Sequence, residues 1–99
     1  MRLQPEIRKE QILAAALKVA ARPGGWNKLT RQSVAREAQC TDGLISKYFG
    51  TMPAFKRTIM RAAIKDAALP VLAQGIATGD KFAAKAPADL KAKALATLV

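Results

Sequence analysis

Apolar residues recur at helical spacing along most of this chain. Over residues 6–22, Ile12, Leu13, Ala16, Leu17 and Ala20 form one stripe, with Arg8, Lys9, Lys18 and Arg22 off it, which predicts an amphipathic first helix. Pro23-Gly24-Gly25 ends it, because proline breaks the hydrogen-bond ladder and glycine admits the left-handed backbone of a helix C-terminus. Trp26 is expected to pack behind that turn. Thr30 is placed to cap a second helix running to about Ala38, although Ser33, three residues on, lacks the carboxylate of a full capping box. Gln39 and Cys40 make a tight connection to Thr41, which caps a third helix through Leu44, Ile45 and Tyr48 to Phe49. Asp42 in its first turn complements the positive helix end. Gly50 stops that helix, Thr51 caps a fourth, and Pro53 stands in its first turn, where the missing N–H costs nothing. The fourth helix carries Phe55, Ile59, Met60, Ala63 and Ile64 inward and Lys56, Arg57, Arg61 and Lys65 largely outward, and is expected to end near Leu69, before Pro70. Beyond it the pattern predicts a short helix over residues 71–77, an irregular stretch, and a last helix over residues 87–98 with Leu90, Ala94, Leu95 and Leu98 on one face.

Composition narrows this to an all-α fold. Of the 50 hydrophobic residues 21 are alanine, a load that favours close-packed helices over sheet. Ninety-nine residues suffice for one thin core and leave no room for a deep substrate cleft. The chain has no histidine and a single cysteine, Cys40, without metal-ligand spacing around it. It therefore lacks the commonest general base and metal ligand, an enzyme is not expected, and neither cofactor nor metal is implied. Cys40 reads as a small core residue of a protein in a reducing cytosol. No apolar run approaches the roughly 18 residues of a membrane span, and the N-terminus lacks the apolar core of a signal peptide. A cytoplasmic protein is expected.

Charge then says where a partner sits. Lys and Arg number 17 against 7 Asp and Glu, for a net +10. Through Lys65 there are 13 basic and 4 acidic residues, so +9 of that excess lies in the first four helices and only +1 after them. Such a field attracts polyanions without choosing among them.

The choice comes from the second and third helices. Two short helices joined by about three residues, with Val34, Ala35, Ala38, Cys40, Ile45 and Tyr48 at fixed apolar offsets, make the helix-turn-helix pattern. Gln39 stands where that pattern wants glycine for a left-handed turn, at a cost of about 1 kcal/mol if the geometry is kept. The run Ile12-Leu13-Ala14-Ala15-Ala16, then Gly25, Thr30, Val34-Ala35, Ala38, Thr41-Asp42-Gly43, Ile45 and Tyr48-Phe49 resembles the N-terminal DNA-binding domain of the TetR family of bacterial regulators. The resemblance covers residues 6–65. It implies a homeodomain-like three-helix unit braced by a fourth helix, a two-fold dimer, and repression by occupying an inverted-repeat operator, with the protein on the nucleoid when bound. Three positions depart from the family pattern: Gln39 replaces a small residue, Ser46 an aromatic and Met52 a lysine. Members also carry a helical ligand-sensing domain far longer than the residues after the fourth helix here, so no small-molecule effector is expected.

On this reading residues 1–69 form the DNA-binding domain and residues 70–99 a C-terminal helical segment for dimerisation through Leu90, Leu95 and Leu98. The third helix, residues 41–49, would enter the major groove of double-stranded DNA by its N-terminal end, presenting Thr41, Asp42, Leu44, Ser46 and Lys47, with Gly43 allowing close approach. Lys47 suits guanine or phosphate, and Asp42 suits cytosine or simple compensation of the helix dipole. Thr30, Arg31 and Gln32 begin the second helix, where free N–H groups can face phosphate. Tyr48 offers its hydroxyl to phosphate or its ring to the core, and Lys56 can clamp the backbone in place of the missing lysine. Arg2, Arg8 and Lys9 would run along the duplex as an arm or form a disordered basic tail. A different class of function stays open: an architectural or adaptor module using the same fold without sequence preference. A third reading, with the first and fourth helices lying on a membrane surface, accounts for fewer residues.

Overall fold

The computed structural model describes residues 4–98, which fold into seven helices and no strand among the described residues: α1 (Pro5–Ala20), α2 (Arg31–Ala38), α3 (Asp42–Phe49), α4 (Met52–Lys65), α5 (Leu69–Ala77), α6 (Lys81–Ala84) and α7 (Ala88–Ala96). Three threonine caps start the central helices. Thr30, Thr41 and Thr51 accept hydrogen bonds from the N–H groups of Ser33, Leu44 and Ala54. At α2 the capping box closes after all, because the Ser33 hydroxyl replaces the expected carboxylate: its Oγ accepts from Thr30 N–H (3.1 Å) and donates to Thr30 O (2.8 Å).

One core holds all seven helices. Phe55, Ile12, Ile45, Ile59, Met60, Leu72, Val34 and Val71 are its largest fully buried side chains, and Ala73, Ala83, Ala86 and Ala94 extend it into α5, the α6 region and α7. The boundary drawn between residues 69 and 70 falls inside α5, whose side chains pack on α4, α7 and α1. Alanine makes these close approaches possible. On α1 the buried set is Ile12, Ala15, Ala16, Val19 and Ala20, while Leu13 and Leu17 are half-buried at the edge. The stripe is rotated from the expected one because α1 packs on α2 as well as on α4 and α5.

Helix ends depart most from the sequence pattern. α1 stops at Ala20, two residues short of the expected end. α4 stops at Lys65 rather than near Leu69: Ala67 takes the left-handed conformation (φ 54°) and Ala68 N–H donates to Ala63 O (2.8 Å). Pro70 consequently lies in the first turn of α5, where proline is tolerated, and begins a helix instead of ending one. The expected irregular stretch contains α6, whose cap Asp80 accepts from the N–H groups of Phe82 (2.9 Å) and Ala83 (2.8 Å). α7 is shorter than the expected 87–98, ending at Ala96.

Among the described residues two non-glycines hold left-handed backbone, Gln39 (φ 57°) and Ala67 (φ 54°). Each costs about 1 kcal/mol relative to glycine. Gln39→Gly and Ala67→Gly are each expected to raise stability by about that amount, and the midpoint of thermal unfolding by roughly 4–8 °C. A lowered midpoint for either would show that its side chain contributes more than its backbone costs.

Candidate functional site

The connection between α2 and α3 is set by Gln39. Its left-handed backbone lets Gln39 N–H donate to Arg36 O (3.4 Å) and Cys40 N–H to Ala35 O (2.9 Å). These two bonds close the end of α2 and turn the chain within three residues into the Thr41 cap of α3. Ile45 is buried beneath α3, and Leu44, Tyr48 and Phe49 are half-buried against the core. Phe49 meets the Phe55 ring at 4.8 Å, which fixes α3 on the first turn of α4.

What remains outside α3 is its N-terminal end and one ridge. Thr41, Asp42, Gly43 and Lys47 are exposed, and Ser46 is half-exposed beside them. No Cβ-sized neighbour crowds Gly43: the nearest atom to a side chain placed there would be Thr41 Oγ1 at 3.9 Å. Another backbone or a ligand can therefore come close at this point. Leu44 differs from the expected groove-facing role, since it packs partly inward. Tyr48 has its ring on the core edge with Lys9 Nζ 5.7 Å from the ring centre.

At the start of α2, Thr30 and Gln32 are exposed and Arg31 is half-buried. The Arg31 Nε is buried without a hydrogen-bond partner among the described residues. Arg8 and Lys9 belong to α1 and not to a tail: Arg8 donates to Gln11 Oε1 (3.1 Å) and reaches Gln39 O at 3.5 Å, beside the elbow. Arg2 lies outside the described residues. Across α1 and α2, Glu37 receives Arg22 at 2.7 Å and Lys18 at 3.6 Å, exposed pairs worth at most about 1 kcal/mol each.

Lys56 lies near the start of α4. Expected to point outward, it is half-buried, with Nζ 4.2 Å from the Trp26 ring centre. Burial lowers its pKa below the ordinary lysine value, and the Asp80 carboxylate opposes that shift. Its charge is thus engaged by the protein itself. Of the leucines expected at a dimer contact, Leu90 is half-buried on the chain's own core, whereas Leu95 (42%) and Leu98 (54%) are exposed.

Two features escaped the sequence pattern. Gln74 ties α5 to the end of α1: its Oε1 accepts from Trp26 N–H (2.9 Å), and its Nε2 donates to Ala20 O (2.8 Å) and Arg22 O (2.9 Å). Phe82 lies under two cations, Arg57 (5.2 Å) and Lys85 (5.4 Å). The run Asp80-Lys81-Phe82, a cap residue before a helix start, was the available signal for the second.

No group of three or more metal-ligating side chains occurs among the described residues, and no described helix is long and apolar enough to cross a membrane. Compared with protein-family models, curated proteins and solved structures, the chain matches none.

Proposed function

We infer that the chain is a sequence-specific DNA-binding transcriptional regulator that reads duplex DNA with α3. The observation that carries this reading is the Gln39 elbow. It keeps the left-handed turn at the position where a helix-turn-helix requires one, despite the strain on a side chain there, and it leaves the N-terminal end of α3 exposed. In this reading α1–α3 form the homeodomain-like unit and α4 braces it, as in the TetR-family DNA-binding domain that residues 6–65 resemble. Thr41, Asp42, Gly43, Ser46 and Lys47 meet the groove. Thr30, Arg31 and Gln32 meet phosphate from the start of α2, and Tyr48 offers its hydroxyl from the core edge. Lys56 positions Trp26 and leaves the phosphate contacts to others. The exposed Leu95 and Leu98 serve a homodimer that spans an inverted repeat and acts as a repressor.

Selection of binding sites from a random duplex pool tests this directly. The expected product is a preferred sequence arranged as two half-sites about one or more helical turns apart. Lys47→Ala is expected to weaken the selected site by about 1–3 kcal/mol, roughly 5- to 150-fold, and random duplex by less. Equal losses on both would move Lys47 to a phosphate role.

A second reading, an architectural module without sequence preference, is favoured by one observation: Lys47, in the last turn, is the only cation on α3, and the exposed N-terminal end carries the acidic Asp42 instead. Random DNA that competes as well as any selected sequence would establish it.

A further inference from the structure

The proposed DNA reading leaves a second basic surface unused. On α4, Arg57 and Arg61 are exposed one turn apart, with Lys65 a further turn along. Beside them α6 contributes exposed Lys81, and Lys85 closes its C-terminal end. Phe82 joins the two helices. Half-buried, it holds Arg57 and Lys85 against one ring, at 5.2 and 5.4 Å from its centre.

These like charges are therefore held within about 11 Å of each other, comparable to the screening length of about 10 Å at moderate salt. Neither has an acidic partner within ion-pair distance among the described residues, where the only ion pairs run from Lys18 and Arg22 to Glu37. Asp80, the N-cap of α6, accepts from Phe82 and Ala83 N–H and acts on Lys56. Glu10 and Asp66 line the α1–α4 groove next to Arg61 and Lys65, so the uncompensated charge centres on Arg57, Lys81 and Lys85. An aromatic ring that fixes two cations at set spacing reduces the entropy lost when both meet a line of phosphates. α6 packs on α4 and α5, whereas α3 packs on α2 and α4, so the two basic surfaces are carried by different elements.

We propose that Arg57 and Lys85, organised by Phe82, form together with the exposed Lys81 of α6 a second contact surface for the phosphodiester backbone of duplex DNA. It rests on the DNA reading for its choice of polymer but not on α3. The surface carries no base readout. It adds affinity that is independent of sequence and strongly dependent on salt.

The test measures binding of the full chain to a random-sequence duplex and to the selected site by fluorescence anisotropy over a salt series. The double variant Arg57→Gln/Lys85→Gln is expected to reduce the slope of log affinity against log salt by about 2. Its affinity should then fall about tenfold less between about 50 and 200 mM salt, while its preference for the selected site is kept. Arg57→Lys, which keeps the charge, should bind as the parent does, and unfolding midpoints of all variants report whether the fold is intact. An unchanged slope in the double variant overturns the proposal, as does an equal loss in Arg57→Lys. Tighter binding to phosphatidylserine vesicles than to duplex, lost in the double variant, overturns it in favour of a lipid surface. The two readings fail separately. If no sequence is selected yet the slope still changes on random duplex, the α3 reading falls and this surface stands; if Lys47→Ala removes preference and the slope is unmoved, the reverse holds.

Discussion

Gly25→Ala is expected to destabilise the protein by about 3 kcal/mol or more, among the largest effects of any single methyl group in the chain. Gly25 is buried against the end of α1. A Cβ there would overlap the Val19 carbonyl oxygen and lie 2.9 Å from Arg22 O and 3.0 Å from Ala20 O. All three obstacles are backbone, and none can swing aside as a side-chain end does. Gly75 offers the contrast. A Cβ on it overlaps the terminal methyl of Met60 and lies 3.0 Å from Ala83 Cβ; the closest obstacle, Met60, has three rotatable bonds with which to move. For a domain of this size 3 kcal/mol corresponds to a fall of roughly 12–24 °C in the unfolding midpoint, readable from the fluorescence of the single tryptophan, Trp26. A fall of less than about 4 °C would mean that residues 21–25 shift freely over the end of α1.

The second large effect is expected at Gln74, which fills three backbone hydrogen-bonding positions across the same turn. Gln74→Leu leaves the Trp26 N–H and the Ala20 and Arg22 carbonyls without these partners in a partly buried site, at a cost of about 2–4 kcal/mol. Gln74→Glu separates donor from acceptor. One carboxylate oxygen can still accept from Trp26 N–H, but the other faces two carbonyl oxygens where an NH₂ group stood. The charged form is therefore disfavoured in the folded state, and the folded pKa of Glu at this position is raised above the unfolded value of about 4.3. Its deficit relative to the parent should be smallest below about pH 4.3, where the protonated carboxyl can donate, and should grow as pH rises through the folded pKa. Urea unfolding at about pH 4 and pH 7 measures it. A deficit equal at both values would show that the donor to Ala20 and Arg22 contributes nothing.

Both effects converge on the join between the end of α1 and α5, a place the chain's own punctuation only half announces. Pro23-Gly24-Gly25 marks a turn, and its glycines are needed there: Gly24 for a left-handed backbone (φ 71°), Gly25 for close packing. Nothing local marks Gln74, which meets Trp26 and Ala20 from 48 and 54 residues away.

The same distinction runs through the candidate site. The exposed positions Thr41, Asp42, Gly43 and Lys47 were legible because a cap and the helical period fix which residues lead α3 and which face away from Ile45. Leu44 and Tyr48 were less so. Their half-burial depends on how α3 rests on its neighbours, with Phe49 against Phe55. Lys56 illustrates the limit of a helical wheel. It lies near the edge of the buried face of α4, and only the arrival of Trp26 and Asp80 from other segments draws it inward. Its neighbour Arg57 remains outward, yet acquires a fixed position from Phe82, a residue on a helix too short to show a period.

By itself the sequence determined the helical class, the starts of α2, α3 and α4, and the uneven placement of charge. Each follows from interactions within a single turn or from a simple count: a threonine hydroxyl reaches its own helix start, and alanine disfavours sheet wherever it stands. Tertiary structure decided where α4 ends, how α5 and α7 join the core, which side of α1 is buried, and which cations are left facing solvent. Ala67 shows the reason. No local preference sends an alanine into left-handed backbone, but stopping α4 there lets Pro70 open α5 and lets Val71, Leu72 and Ala73 be buried with the residues of α1 and α4. The strain of about 1 kcal/mol at one residue is outweighed by the burial of several apolar side chains, each worth about 1.5–3 kcal/mol for the larger ones.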